Sequence, residues 1–413
     1  MRLLRSTIFH TPRNAFHHAN ALASYADGAL VIDGGKVIAC GDYTDVGPAW
    51  PGAPVEDLRG GYIVPGFIDT HIHYPQTRII GGLGLDLLDW LEQITLPEEA
   101  RFSDADYAAT IATEFIAELA SHGTTTALVF GSHFVPAVVC LLNEAAQQGL
   151  RIFSGLVMAD RNLRPELHQT PDGAYRDAKA LIARFPNYAV TPRFALSCSA
   201  AMLEVCGTLL REHPGLIFTT HINENVREIE EVRRLSPDAR DYLSVYEDFE
   251  LIGRDAVLAH NIHPTNDELV RLAAQDASIA HCPCSNAALG SGIFPLQRHL
   301  DAGVHLSAGT DVGGGTGFGM MKEVLQAYLL QRVALQPFTL TPAQMLYLAT
   351  RAGAEALNIE NETGDFTPGK SADYVYLRPK AAYHGLSALL THADSSAIQE
   401  VRVRDRAVYT RSN

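Results

Sequence analysis

Pro65-Gly66-Phe67-Ile68-Asp69-Thr70-His71-Ile72-His73-Tyr74-Pro75-Gln76 is the stretch on which the reading of this chain turns. The run from Ile63-Val64 to Ile72 is apolar and β-branched, with Pro65-Gly66 and Pro75 as its punctuation, which predicts a short buried strand rather than a helix. Side chains alternate along a strand, so His71 and His73 share one face and Ile72 takes the other. Two imidazoles at that spacing can chelate one divalent ion, and zinc accepts histidine nitrogen readily. Two ordinary hydrogen-bonded histidines on a strand would give the same local pattern, so the rest of the chain has to decide.

Further ligand-type residues stand at the ends of other apolar runs. Ile217-Phe218-Thr219-Thr220 ends in His221, Ala256-Val257-Leu258-Ala259 ends in His260, and His305-Leu306-Ser307-Ala308-Gly309-Thr310 ends in Asp311 ahead of Gly313-Gly314-Gly315. An arrangement that gathers strand C-termini at one place would bring them together. A parallel β/α barrel does so, with its active site at that face.

The other predicted strands are 124–130, 151–158, 189–196 and 278–281, which makes eight with those above. Helical patterns lie between most of them. The best spans Phe102 to Gly123, with Ser103 as the expected N-cap, Ile111, Phe115 and Leu119 on one face, and Gly123 as the stop. The fold class expected is therefore α/β, a (β/α)8 TIM-type barrel. A doubly wound sheet is disfavoured because no Gly-rich phosphate turn follows the first strand. Residues 1–64 alternate strand patterns with turns, among them the Asp33-Gly34 hairpin signal, and strand patterns return at Ala372–Leu377 and Val401–Tyr409. These predict a small β-sandwich domain of residues 1–64 plus 370–413, beside a barrel domain of 65–369.

The 413 residues, 47% of them hydrophobic, suffice for one large core and an appendage. The net charge of −15 argues against a nucleic-acid partner. No run is long and apolar enough for a membrane span, and the N-terminus lacks the pattern of a signal peptide. Six cysteines form no disulfide framework. The expectation is a cytoplasmic protein with reduced thiols.

The chain resembles the amidohydrolase superfamily, and specifically its guanine deaminases. The resemblance is carried by Pro65–Gln76, Thr191–Cys198, His221-Ile222-Asn223-Glu224-Asn225, Val257–His260, Cys282-Pro283-Cys284-Ser285-Asn286 and Gly309-Thr310-Asp311. It implies one catalytic Zn2+ ion per chain on His71, His73, His221 and Asp311. It implies that Glu224 shuttles protons, that His260 orients the attacking water, and that Asp311 doubles as ligand and base. For the base it implies Gln76, Arg193, Phe194 and His260 as substrate-binding residues. Arginine is the matched donor fork for the O6 and N7 acceptors of guanine. Phe194 would lie against the purine ring, and both neighbours can face the site only if the fourth strand has already ended.

The reaction implied is deamination of guanine to xanthine and ammonia, by attack of zinc-activated hydroxide at the amino-bearing carbon. The resemblance also implies a homodimer. The Pro-Cys-X-X-Cys zinc deaminase design does not match Cys282-Pro283-Cys284. Two alternatives stand beside this reading: a relative acting on another ring such as 8-oxoguanine, a cytosine, a triazine or an S-adenosyl-type purine, and a non-catalytic scaffold on the same fold. Residues 74–101, with a short amphipathic helix near Leu85–Leu91, form a lid or a subunit interface. His133, His263, His281 and His305 are expected to be core or loop histidines.

Overall fold

The computed structural model of the chain describes residues 1–380 and 385–412. Residues 381–384 and 413, part of the C-terminal segment assigned above to the small domain, lie outside the described residues. The strands are β1 (Arg2–His10), β2 (Ala23–Asp33), β3 (Lys36–Asp42), β4 (Val55–Pro65), β5 (Phe67–His73), β6 (Thr124–Ser132), β7 (Arg151–Met158), β8 (Ala189–Pro192), β9 (Ile217–Ile222), β10 (Ala256–His260), β11 (Ser278–His281), β12 (His305–Ala308), β13 (Tyr374–Leu377), β14 (Ile398–Val403) and β15 (Arg406–Thr410).

Strands β5 to β12 lie side by side in chain order, each parallel to the next. Helices cover the outside, so β5 and β6 are buried at every residue, as parallel strands covered on both faces must be. Closure between β5 and β12 uses side chains as well as backbone: Thr70 Oγ1 donates to Ala308 O at 2.9 Å, and Asp311 N donates to His71 O at 2.8 Å. Ile68, Leu128, Ala189, Ile217, Val257 and Ala280 fill the interior away from the site, plugged by Ala354, Ala356, Leu357 and Ile359.

The eight-stranded barrel agrees with the sequence, but several boundaries move. The barrel begins at Phe67, because Ile63 and Val64 belong to β4, which pairs antiparallel with β13. Gly66 alone joins the two sheets, its N–H donating to Asp373 O at 3.0 Å. The fourth barrel strand stops at Pro192, not at residue 196. The helix expected from Phe102 starts later, at Ala105, because Asp104 rather than Ser103 caps it, accepting from Asp106 N and Tyr107 N.

Both termini contribute to one seven-stranded sheet, ordered β15-β14-β13-β4-β1-β2-β3. The Asp33-Gly34 signal is a tight hairpin turn: Asp33 pairs with Lys36, and Gly34 and Gly35 have φ of 54° and 77°. The sheet folds over on itself, since Lys36 also bridges to Ser371 just ahead of β13. Leu4, Ile8, Leu30, Ile63, Phe366 and Tyr374 pack inside the fold. Helix Gly385–His392 instead sends Leu386, Leu389 and Leu390 into the apolar cluster shared with the barrel helices.

Candidate active site

The metal cradle follows directly from strand geometry. His71 and His73 leave β5 on one face, His221 ends the core of β9, and Asp311 follows β12. His71 Nε2 and His73 Nε2 are 3.2 Å apart, and His73 Nε2 and His221 Nε2 are also 3.2 Å apart. Asp311 Oδ1 lies 3.3 Å from His71 Nε2 and 3.2 Å from His73 Nε2. Four ligands about 2.0–2.1 Å from a tetrahedral ion sit roughly 3.3–3.4 Å from one another. His71, His73 and Asp311 therefore form a group that could hold one divalent cation, with His221 Nε2 beside it.

Protonation supports the fit. His221 Nδ1 donates to Arg193 O at 2.6 Å, which leaves its Nε2 lone pair facing the cradle. Burial pushes the His71 imidazole down to about 4, and burial with the neighbouring His71 and His73 rings holds His221 well below its usual range, so both rings stay neutral. Burial alone would raise the Asp311 carboxyl, but its contacts with the His71 and His73 rings hold it well below the usual carboxylate range. Among the described residues the ligand atoms fall into two metal-capable groups that overlap at His71: His71, His73 and Asp311, and His71, His221 and His260. His260 Nε2 is 3.8 Å from Asp311 Oδ2 and 3.5 Å from Glu224 Oε2.

Several groups that hold this geometry escaped the sequence reading. Asp69 accepts from His71 N at 3.1 Å, from Thr310 N at 3.1 Å and from Thr310 Oγ1 at 2.5 Å, tying β5 to the segment that presents Asp311. Ser285 Oγ donates to Asp311 Oδ2 at 2.5 Å, and His260 Nδ1 donates to Asn286 Oδ1 at 2.9 Å. That bond leaves His260 Nε2 as an acceptor turned toward Glu224. In the sequence Ser285 and Asn286 are marked only by the Cys282–Asn286 motif. His260 and Asp311 have φ of 71° and 49°, left-handed conformations that non-glycine residues adopt at some cost and that cluster at functional sites.

Glu224 is buried beyond the end of β9. Asn225 caps that helix, and Glu228 accepts from Glu224 N at 3.0 Å. Burial, then the charges of Asp311 and Glu228, hold the Glu224 carboxyl well above its usual value. It therefore keeps a proton that an exposed glutamate would lose.

A cavity opens above the cradle. Gln76, Arg193, Phe194, Glu224 and His260 line it, and Leu87, Trp90, Leu91 and Leu289 cover it. Arg193 and Phe194 both reach it because β8 has ended at Pro192. The cover is the expected short helix, here Leu87–Trp90, packed against Leu289. Arg193 does not face the cavity as a bare cation: Nη1 donates to Glu99 Oε2 at 2.5 Å, while Glu99 Oε1 accepts from Gln76 Nε2 at 2.9 Å. Glu99 was not anticipated, since it lies in a long segment with no strand pattern.

His133 Nε2 is 3.4 Å from the same Glu99 Oε2. The other histidines set aside in the sequence stand away from the cradle. His263 Nε2 contacts Ser291 O, His281 stacks on Phe294, and His305 pairs with Glu355.

Residues 62–404 match the amidohydrolase family. The chain belongs to the amidohydrolase family. This amidohydrolase is 56% identical over 406 residues to the probable guanine deaminase of Deinococcus radiodurans, spanning 96% of this chain and 92% of that one. It is 38% identical over 413 residues to the guanine deaminase of Escherichia coli, spanning 95% and 94%. The solved structure of the Escherichia coli guanine deaminase superposes with a TM-score of 0.95 at 37% identity, over 100% of both chains. That of a guanine deaminase from C. acetobutylicum, with guanine bound in its active site, superposes with a TM-score of 0.92 at 25% identity, over 99% of this chain and 100% of that one.

Proposed function

We propose that this amidohydrolase converts guanine and water to xanthine and ammonia in the cavity above His71, His73, His221 and Asp311. One observation carries the reading: Arg193 and Gln76, oriented by a single buried carboxylate, face a covered cavity beside the buried histidine and aspartate donors of a candidate metal site. The guanine deaminase of Escherichia coli and the probable guanine deaminase of Deinococcus radiodurans, both similar over nearly the whole chain, support the same substrate.

His71, His73, His221 and Asp311 would hold one zinc ion. Zinc bound there would lower the pKa of a water from about 15.7 toward about 7, the activation that hydrolysis of an aromatic amine needs. The residues of the chain do the rest. Arg193 keeps N–H groups free beyond the one given to Glu99, and these suit the O6 and N7 acceptors of guanine. Phe194 supplies an apolar face for the ring. Glu224, held protonated by its surroundings, can give its proton to the ring nitrogen next to the amino-bearing carbon, take back the proton of the newly added hydroxyl, and pass that proton to the departing amine as the C–N bond breaks. His260, oriented by Asn286, accepts a hydrogen bond in the same space and can align the attacking water. Leu87, Trp90 and Leu289 keep bulk water out.

The proposal includes a cytoplasmic homodimer. Six free cysteines support the reducing compartment, and the homodimer is carried by the resemblance to guanine deaminases alone. Among the described residues no helix is long and apolar enough to cross a membrane. Ammonia release from guanine, 8-oxoguanine, adenine and cytosine tests the substrate: guanine should lead, and a higher kcat/KM for another ring would overturn the assignment.

A further inference from the structure

The base-reading side chains share one neighbour that never reaches the cavity. Glu99 is buried in helix Leu96–Ala100, within the segment that follows β5. Its two oxygens serve different partners: Oε1 accepts from Gln76 Nε2 at 2.9 Å, and Oε2 accepts from Arg193 Nη1 at 2.5 Å. Burial opposes its charge, yet Arg193 and His133 hold the carboxyl well below the usual range, so it is ionised and can only accept. On the other side of Gln76, Gly313 N donates to Oε1 at 3.1 Å. A backbone N–H can only donate. The Gln76 amide is thus held between an obligate acceptor and an obligate donor, which permits one of its two flipped orientations.

The charge arrangement adds a second consequence. Arg193 and Glu99 form a buried ion pair, so the wall that meets the base carries donors but little net charge. Such a wall suits a neutral purine and gives an anionic one no arginine charge to pair with.

We propose that Glu99 is the positioning residue that sets base specificity: it fixes the Gln76 amide and the Arg193 fork and masks the arginine charge. The inference rests on the guanine reading above and adds a residue to it.

The test is Glu99→Gln in the metal-loaded protein, with Glu99→Asp as a second variant that keeps the charge and draws it back by one methylene. A glutamine presents one acceptor and one donor, so it satisfies Arg193 or Gln76 but not both. KM for guanine should rise roughly ten-fold or more in Glu99→Gln, with kcat changed less and metal content unchanged. Inhibition by urate, an anionic oxopurine, should strengthen in the same variant because the arginine charge is exposed. Glu99→Asp should raise KM for guanine less than Glu99→Gln does, without the tighter urate binding. Unchanged KM for guanine in Glu99→Gln, or weaker binding of guanine and urate together, would overturn the proposal, the second because it marks general damage to the pocket. If Glu99→Gln does not fold, the same comparison in Glu99→Asp decides: unchanged KM there refutes the positioning role. A wild-type protein that does not deaminate guanine would instead refute the parent reading, so the two failures are distinguishable.

Discussion

Replacing Glu224 by glutamine should separate activity from stability. The side chain is 3% exposed, and burial, Asp311 and Glu228 all disfavour its charged form. Glutamine has nearly the same shape, so its carbonyl can still accept from Ser291 Oγ, 3.4 Å from Glu224 Oε1. What glutamine cannot do is carry and release a proton. A positioned general acid–base contributes about 10²–10⁴-fold, so kcat should fall by that factor, about 2.7–5.4 kcal/mol of barrier. The metal cradle does not use Glu224, so metal content should not change. The fold loses only an ionisable group in a site hostile to charge, so the thermal midpoint should stay level or rise. The assay is kcat for guanine, metal content by elemental analysis, and a thermal melt on the same preparation. Loss of metal would make Glu224 a ligand. Turnover within a few-fold of wild type would remove it from the proton path.

Other substitutions probe the remaining parts. His71→Ala or His221→Ala should lose metal and activity together, whereas Asn286→Ala should keep the metal and lower kcat on the order of ten-fold, since it frees only the His260 ring; elemental analysis and kinetics compare them. Arg193→Ala should lower kcat/KM for guanine roughly ten- to several-hundred-fold and also lower the thermal midpoint, because Glu99 is left buried without its cation; wild-type guanine kinetics would show that Arg193 does not read the base. Glu323 is buried and its carboxyl is pushed up to about 8 from 4.5 by burial, so the folded state holds its proton more tightly than the unfolded chain does. The stability this group contributes is present below about 4.5 and is lost as pH rises through about 8, so Glu323→Gln should gain stability relative to wild type across that window, followed by thermal melts at several pH values.

The parts of this molecule legible in its sequence are those where chemistry sits on a periodic element. His71 and His73 are separated by one residue on a strand, and His221, His260 and Asp311 close apolar runs, so their convergence follows from a barrel. Residues that act through others carry no such mark. Glu99 looks like one more glutamate in Leu96–Ala100, a surface-like acidic helix, until the fold carries that helix over Arg193. Asp69 sits between Ile68 and Thr70 and could have been any buried strand polar residue, and its role appears only when Thr310 arrives from more than two hundred residues away. The boundary errors have local causes. Ile63 and Phe67 form one apolar run in sequence, yet Gly66 turns the chain from one sheet to another within it. Asp104 displaces Ser103 as helix cap because its carboxylate reaches two backbone N–H groups.

The most direct test of the account is guanine hydrolysis in 18O-labelled water by the purified, zinc-loaded protein. The account predicts xanthine with label at the carbon that carried the amine, ammonia in equal amount, no turnover after chelation, and recovery on adding zinc. Unlabelled xanthine, or undiminished turnover by the chelated protein, would contradict it.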